Sequence, residues 1–251
     1  MLTVLVVVTV VLTVTVLSSS RLREAVGWRL SNVVSSGPDE GAVLHSPRGH
    51  RTVESVMAVL GPEMSRRWRE RFAALGLDWP PKSITLLAFK EEKRLEVWAA
   101  HGQRRVHVRD YPIKAASGVA GPKLREGDRQ VPEGVYRLVG LNPNSSYHLS
   151  MKLNYPNPAD QAWARLDGRT NPGGDIFIHG RSASIGCLAM GDPAIEELFV
   201  LIRLAGVDNV TVLLVPYDCR IGRPLVRPTE SPAWVDDVYA ELQHELAGYA
   251  R

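Results

Sequence analysis

Apolar and polar positions divide this chain into stretches of different character. Residues 1–17 contain only Met, Leu, Val and Thr, without a charge. Such a run is no ordinary surface element. It reads as the core of an export signal or as a short membrane anchor, with a buried core strand or helix as the competing reading. Residues 21–51 turn polar, with Ser-Ser-Gly-Pro and Ser-Pro-Arg-Gly stretches, and read as a linker. Residues 52–60 and 62–77 read as two short helices. In the second, Met64, Trp68, Phe72 and Leu75 recur at helical spacing and Gly76 is a stop.

From Ser83 the period changes. Residues 84–89, 95–98, 106–108, 135–139, 149–153 and 210–215 are rich in strand-forming side chains and bounded by turns. Asp175, Ile176, Phe177 and Ile178 read as a short buried strand that delivers His179 at its end. Residues 193–205 predict a helix with Ile195, Leu198, Phe199 and Ile202 on one face. Asp192 is its expected N-cap and Pro193 its first helical position. Residues 232–249 predict a last amphipathic helix capped by Ser231. No internal repeat is visible.

The candidate chemistry sits between that short strand and the helix at 193. His179 precedes Cys187 by eight residues, across a small polar loop. A thiolate can attack a carbonyl while an imidazole takes the thiol proton and returns it to the leaving amine. Gly186 lets the backbone turn tightly, so peptide N–H groups can face a developing oxyanion. By spacing alone the pair is weak, since most cysteines are small buried hydrophobes and a lone histidine is usually a satisfied polar residue. A strand and a helix framing the loop give it a rigid scaffold.

The run HG-x-x-x-S-x-G-C, from His179 to Cys187, resembles the active-site motif of the YkuD-type L,D-transpeptidases, most closely their YafK-like branch. The stretch from Glu126 to Tyr136 is similar to that branch's entry to a central strand. Tyr155-Pro156-Asn157, Gly168-Arg169-Thr170 and the residues from Asp192 to Glu197 also fit. The resemblance covers roughly residues 81–218, over half the chain. It implies Cys187 as nucleophile and His179 as base, with Ser184, Ile185 and Gly186 shaping the loop and oxyanion site. The widespread family pattern has His where this chain has Ile185, and Arg or Asn soon after the cysteine where it has Leu188 and Ala189. The YafK-like branch shares both departures. Gly180 follows His179, so a backbone carbonyl is the expected partner of the other ring nitrogen.

The resemblance implies an α+β, mainly-β fold: a curved mixed sheet or sandwich-like barrel with packed helices. The strand pattern agrees. The expected organisation is a signal or anchor at 1–20, a polar linker at 21–51, an N-terminal helical region at 52–82, a catalytic domain at 83–218 and a C-terminal helical extension at 219–251. The implied activity is cysteine-dependent acyl transfer on peptidoglycan stem peptides. The acceptor is an amine on a second stem peptide or on a wall-attached protein. The alternatives are an L,D-endopeptidase or carboxypeptidase acting on related linkages, and a non-catalytic wall-binding protein. The intact His179 and Cys187 count against the last.

Composition adds little. The net charge of the 251 residues is +3, which makes no case for nucleic acid. Arg169, Arg181 and Tyr155 are the candidates for substrate binding. Arginine suits bidentate contact with a carboxylate, although solvated surface arginine is the bland reading. His101, His107, His148 and His179 lack metal-ligand spacing, and no metal or other cofactor is expected. Asp128 and Glu133 could form a carboxylate pair, but a turn entering a strand explains them better. The chain has two cysteines, Cys187 and Cys219; a bridge between them would mask the nucleophile. The expected location is the periplasm or cell envelope, with membrane contact through the N-terminus.

Overall fold

A computed structural model of the chain describes residues 50–250. The expected signal or anchor at 1–20 lies outside the described residues, as does the linker up to residue 49. Arg51 is already buried, its amide donating to Asn144 Oδ1 at 3.1 Å and its guanidinium to the His148 carbonyl at 3.0 Å.

Helix α1 (Val53–Ala74) opens on a capping box between Thr52 and Ser55. The two helices expected at 52–60 and 62–77 are therefore one, with Pro62 inside it. Proline normally interrupts a helix by removing a bond and by crowding the Cβ of the preceding residue. Here that residue is Gly61, which has no Cβ. Val56, Leu60, Trp68 and Phe72, on both sides of it, bury into one core.

The strands are β1 (Ile84–Phe89), β2 (Arg94–His101), β3 (Arg104–Pro112), β4 (Ala115–Ala116), β5 (Gly134–Asn142), β6 (Ser150–Leu153), β7 (Phe177–His179), β8 (Leu188–Ala189) and β9 (Val210–Val215). They form one mixed sheet in the order β3-β2-β1-β9-β5-β6-β7-β8-β4. The pairs β1–β9 and β7–β8 are parallel and the others antiparallel. Its two outermost strands, β3 and β4, are consecutive in the chain and separated only by Ile113 and Lys114. The sheet therefore curls toward a half-barrel.

Helices α2 (Pro158–Leu166), α3 (Asp192–Ala205) and α4 (Val235–Leu246) complete the described residues' α-helices. Alternation along the central strands sets the layers. Leu86, Ala88, Val212 and Leu214 join α1 and α3 in one core, while Leu87, Phe89, Leu213 and Val215 join α4 in another. Strands buried on both faces read as near-continuous apolar runs, as β1 and β9 do, each broken only by one half-buried threonine.

Three local readings change. Helix α2 was not expected, although Asn157 accepts the amides of Ala159 and Asp160 and Pro158 opens the helix. Helix α4 starts at Val235 instead of residue 232, and Ser231 does not cap it. Turns at 232–234 take the amides of Val235, Asp236 and Asp237 instead. Asp192 is the first residue of α3; Gly191 is its N-cap. Among the described residues no helix is long and apolar enough to cross a membrane.

Candidate active site

His179 is the last residue of β7, one position beyond the strand expected at 175–178. Strand β7 pairs in parallel with β8, Ile178 facing Leu188 and His179 facing Ala189. That register sets Cys187 opposite Phe177. Side chains alternate along a strand, so Ile178 and Leu188 enter the core while His179 and Cys187 share the other face. Cys187 directly precedes β8, and its thiol meets the amide of Phe177, two residues before His179 on β7.

The imidazole is fixed at its inner side. Nδ1 lies 2.6 Å from the Gly180 carbonyl oxygen, which can only accept, so Nδ1 carries the hydrogen. Nε2 is then the acceptor of the neutral ring. Tyr147 packs on the ring, centroid to centroid 4.5 Å, at a tilt of 36°. Gly180 permits this arrangement. A Cβ there would stand 2.6 Å from Asp192 Oδ1, 2.8 Å from the Tyr147 carbonyl and 3.0 Å from Ile195 Cγ2. Gly180→Ala is expected to lower stability by about 1–3 kcal/mol, as overpacking does, with acylation impaired in the folded fraction. Thermal unfolding and a single-turnover assay on one preparation check both.

The loop at 180–186 is held from two sides. The Arg181 amide donates to Asp192 Oδ1 at 2.7 Å, tying the loop to the start of α3. Ser184 is its hub. Its hydroxyl donates to the Cys187 carbonyl at 2.6 Å and accepts the Cys187 and Gly186 amides at 3.2 and 3.3 Å. It also meets the Ser117 hydroxyl at 3.2 Å. Gly186 adopts φ +127°, a conformation that a side chain would strain. Ile185 is 73% exposed beside the cysteine.

Electrostatics keep both groups neutral at rest. Burial pushes the Cys187 thiol up, and the nearby Asp175 carboxylate adds to it. The Phe177 amide and the Lys123 ammonium pull the other way. Burial pushes the His179 ring below its ordinary value, against its bond to Gly180. The Cys187 sulfur lies 3.8 Å from the carbonyl of Asp175, whose φ of +54° bends the chain into β7. Asp175 pairs with Lys152 at 2.6 Å, and Lys123 with Asp128 at 2.6 Å.

Residues 84–213, from β1 into β9, match the YkuD family, the L,D-transpeptidase catalytic domain. The chain belongs to that family. It is 34% identical over 139 residues to the candidate L,D-transpeptidase YafK of Escherichia coli K12, covering 53% of this chain and 54% of that protein. The chain thus spans about half the length of the curated relatives it matches. Among solved structures it is similar to the helical cell shape determining protein Pgp2 from Campylobacter jejuni. There the identity is 24%, the coverage 54% of this chain and 48% of that one, and the TM-score 0.45. Bd1075 from Bdellovibrio bacteriovorus gives 19% identity, coverage of 66% and 56%, and a TM-score of 0.41.

Against this L,D-transpeptidase frame, the expected binding residues separate. Arg181 is exposed on the loop beside Cys187. Arg169 is committed inside the protein: it binds Asp167 at 2.9 Å and the Leu124 carbonyl at 2.7 Å, and covers the Trp234 ring. Tyr155 is buried, its hydroxyl donating to the Pro172 carbonyl at 2.9 Å. Asp128 and Glu133 are not a catalytic pair. Asp128 accepts the amides of Leu124, Arg125 and Gln130, and Glu133 is buried on Lys90. Cys187 and Cys219 are both free thiols. No group of three or more His, Cys, Asp or Glu among the described residues could hold a metal.

Tyr147 and Lys123 were missed. Tyr147 lies in a polar turn, and only the pairing of β6 with β7 brings it to His179. Its ring face makes the contact with the imidazole. Tyr147→Ala is therefore expected to slow acylation up to about tenfold, the equivalent of ~0.5–1.5 kcal/mol for an aromatic contact. Tyr147→Phe should keep most of the rate. Pre-steady-state acylation of the two variants tests this, and equal losses would show that the hydroxyl matters instead.

Proposed function

We propose that the chain catalyses acyl transfer on peptidoglycan stem peptides through a Cys187 thioester, with His179 as general base. The observation that carries this reading is an imidazole at the end of β7 and a thiol at the entry to β8, the strand paired with it, with Nδ1 of the ring already engaged. Family membership supports the substrate class.

The steps follow from the resting state. His179 Nε2 takes the thiol proton as Cys187 Sγ attacks the peptide carbonyl at the diamino acid residue of the stem. The tetrahedral oxyanion competes with Ser184 Oγ for the Gly186 and Cys187 amides, which are held by long, weak bonds. The C–N bond breaks, Nε2 protonates the departing D-amino acid nitrogen, and a thioester remains. An acceptor amine then attacks the thioester carbonyl, giving its proton to Nε2, and the thiolate leaves and is reprotonated. Water in place of the amine gives hydrolysis.

Incubating purified cell wall with the full-length protein and weighing the released fragments tests the proposal. Cross-linked fragments lacking the terminal D-amino acid indicate transpeptidation. Uncross-linked stems shortened by the terminal D-amino acid, or cross-links split into two pieces that together gain one water, indicate hydrolysis. A wall unchanged in both respects would overturn the reading. Residues 1–17 would deliver this activity to the envelope; recovery of the uncleaved full-length chain in the cytosol would count against that delivery.

A further inference from the structure

The mechanism leaves the buried cation Lys90 unused. Lys90 follows β1 at the end of the central sheet, and its side chain is 6% exposed. Its ammonium faces four acceptors: the carbonyls of Val119 at 2.8 Å, Val131 at 3.0 Å and Gly121 at 3.3 Å, and Glu133 Oε1 at 2.9 Å. All four belong to the segment joining β4 to β5. Burial pulls the ammonium below its ordinary value, and Glu133 opposes that shift.

The rest of the node closes around the same segment. Glu133 also accepts the Gly121 amide at 2.9 Å and the Tyr239 hydroxyl of α4 at 2.7 Å. Gln130 accepts the Val119 amide at 3.0 Å and donates to the Val119 and Gly121 carbonyls, both at 2.6 Å. Loops usually lie on the surface with solvated backbone groups. Here three backbone carbonyls are turned inward onto one ammonium.

This segment also touches the site. Its Ser117 meets Ser184, the hub that holds both the amide and the carbonyl of Cys187. The Gln130 carbonyl lies beside Gly186, 3.5 Å from where a Cβ would be. Lys123, on the same segment, acts on the Cys187 thiol through its charge.

We propose that Lys90 is a positioning residue: its ammonium clasps the β4–β5 segment against the Ser184–Cys187 turn and so sets the nucleophile for attack. The proposal rests on the reading of Cys187 as nucleophile. Lys90 touches neither substrate nor sulfur, so its effect passes through Ser117 and Ser184.

The test uses the full-length protein and the double variant Lys90→Met with Glu133→Gln, which removes the cation without leaving a carboxylate buried alone. Three quantities are compared at one pH: amide exchange at residues 117–131, alkylation of Cys187 by iodoacetamide, and single-turnover acylation by a stem peptide. Cys219, followed by mass in the same digest, is the internal control. The expected result is faster exchange in that segment while β1 and β9 keep their protection. Alkylation of Cys187 should quicken severalfold as its cover loosens, with Cys219 unchanged. Acylation should slow by roughly 10- to 100-fold, as for a displaced catalytic group. Opposite movement of alkylation and acylation separates lost positioning from general destabilisation.

Unchanged exchange at residues 117–131 overturns the clasp, whatever happens to acylation. Faster exchange with unchanged acylation overturns the link to the nucleophile. Should the double variant fail to show a cooperative unfolding transition, Ser117→Ala replaces it, since it removes the hydroxyl contact to Ser184, keeps only the long 3.4 Å amide bond, and leaves the buried pair intact. Acylation slowed by the same order then supports the proposal, and an unchanged rate overturns it. Should the wild-type protein not acylate at all, the proposed function fails. Exchange and alkylation then decide the clasp alone: both faster supports it, and either unchanged overturns it.

Discussion

Cys187→Ala is expected to abolish turnover of stem peptides and to leave the fold intact. Removing a covalent nucleophile deletes the pathway, and losses on the order of 10⁶-fold are the precedent. Ser184 cannot replace it, because it spends its hydroxyl on the Cys187 carbonyl at 2.6 Å. The cost to stability should stay within about 1 kcal/mol, because the thiol is half-buried and its contacts, a long one to the Asp175 carbonyl and one to the Phe177 amide, are weak. Cys219→Ala is the matched control. Cys219 opens a short 3₁₀ turn and packs against the α4 side of the sheet. It should retain most of the activity. Product masses and thermal unfolding of both variants check the pair, and comparable turnover by Cys187→Ala would refute the thioester.

The sheet was legible where burial is simple. Strands β1 and β9 appear in the sequence with their observed bounds, because both faces are covered and every position but Thr85 and Thr211 is apolar. The helical proline was misread because a glycine before it changes the steric rule. Helix α2 carried a legible signal, an N-cap asparagine followed by proline, that the polar surroundings obscured. The same division holds for the site. The candidate pair, His179 and Cys187, can be picked out from sequence because β7, the loop and β8 are contiguous, so that chemistry and spacing lie in one short run. Tyr147, Lys123 and Asp175 come near the candidate pair through strand pairing and loop closure, which no local pattern encodes. Arg169 shows the converse. An arginine awaiting a carboxylate ligand and one already bound to Asp167 have the same letter in the sequence.

The thiol is raised by burial, and a raised thiol stays protonated near neutral pH. The nucleophile is therefore not ionised in advance, and the base must take its proton during attack. For this reason His179→Ala should slow acylation by about 10²–10⁴-fold, the range for a positioned general base. The pH dependence carries a sign. The ring must be neutral to accept a proton, so acylation is present above its pKa and lost as pH falls through it. Burial lowers that pKa, so the acid limb of the wild-type rate should lie below the ordinary histidine value of 6.5. Stability follows the same direction: this group's contribution is full above 6.5 and declines as acid forces a charge onto the buried ring. The variant should lose that limb and show a rate that rises only as the thiol itself ionises at alkaline pH. Single-turnover acylation across pH, for wild type and variant, makes the measurement. A wild-type limb above 6.5, or an unchanged rate near neutrality in the variant, would remove His179 from the role of base.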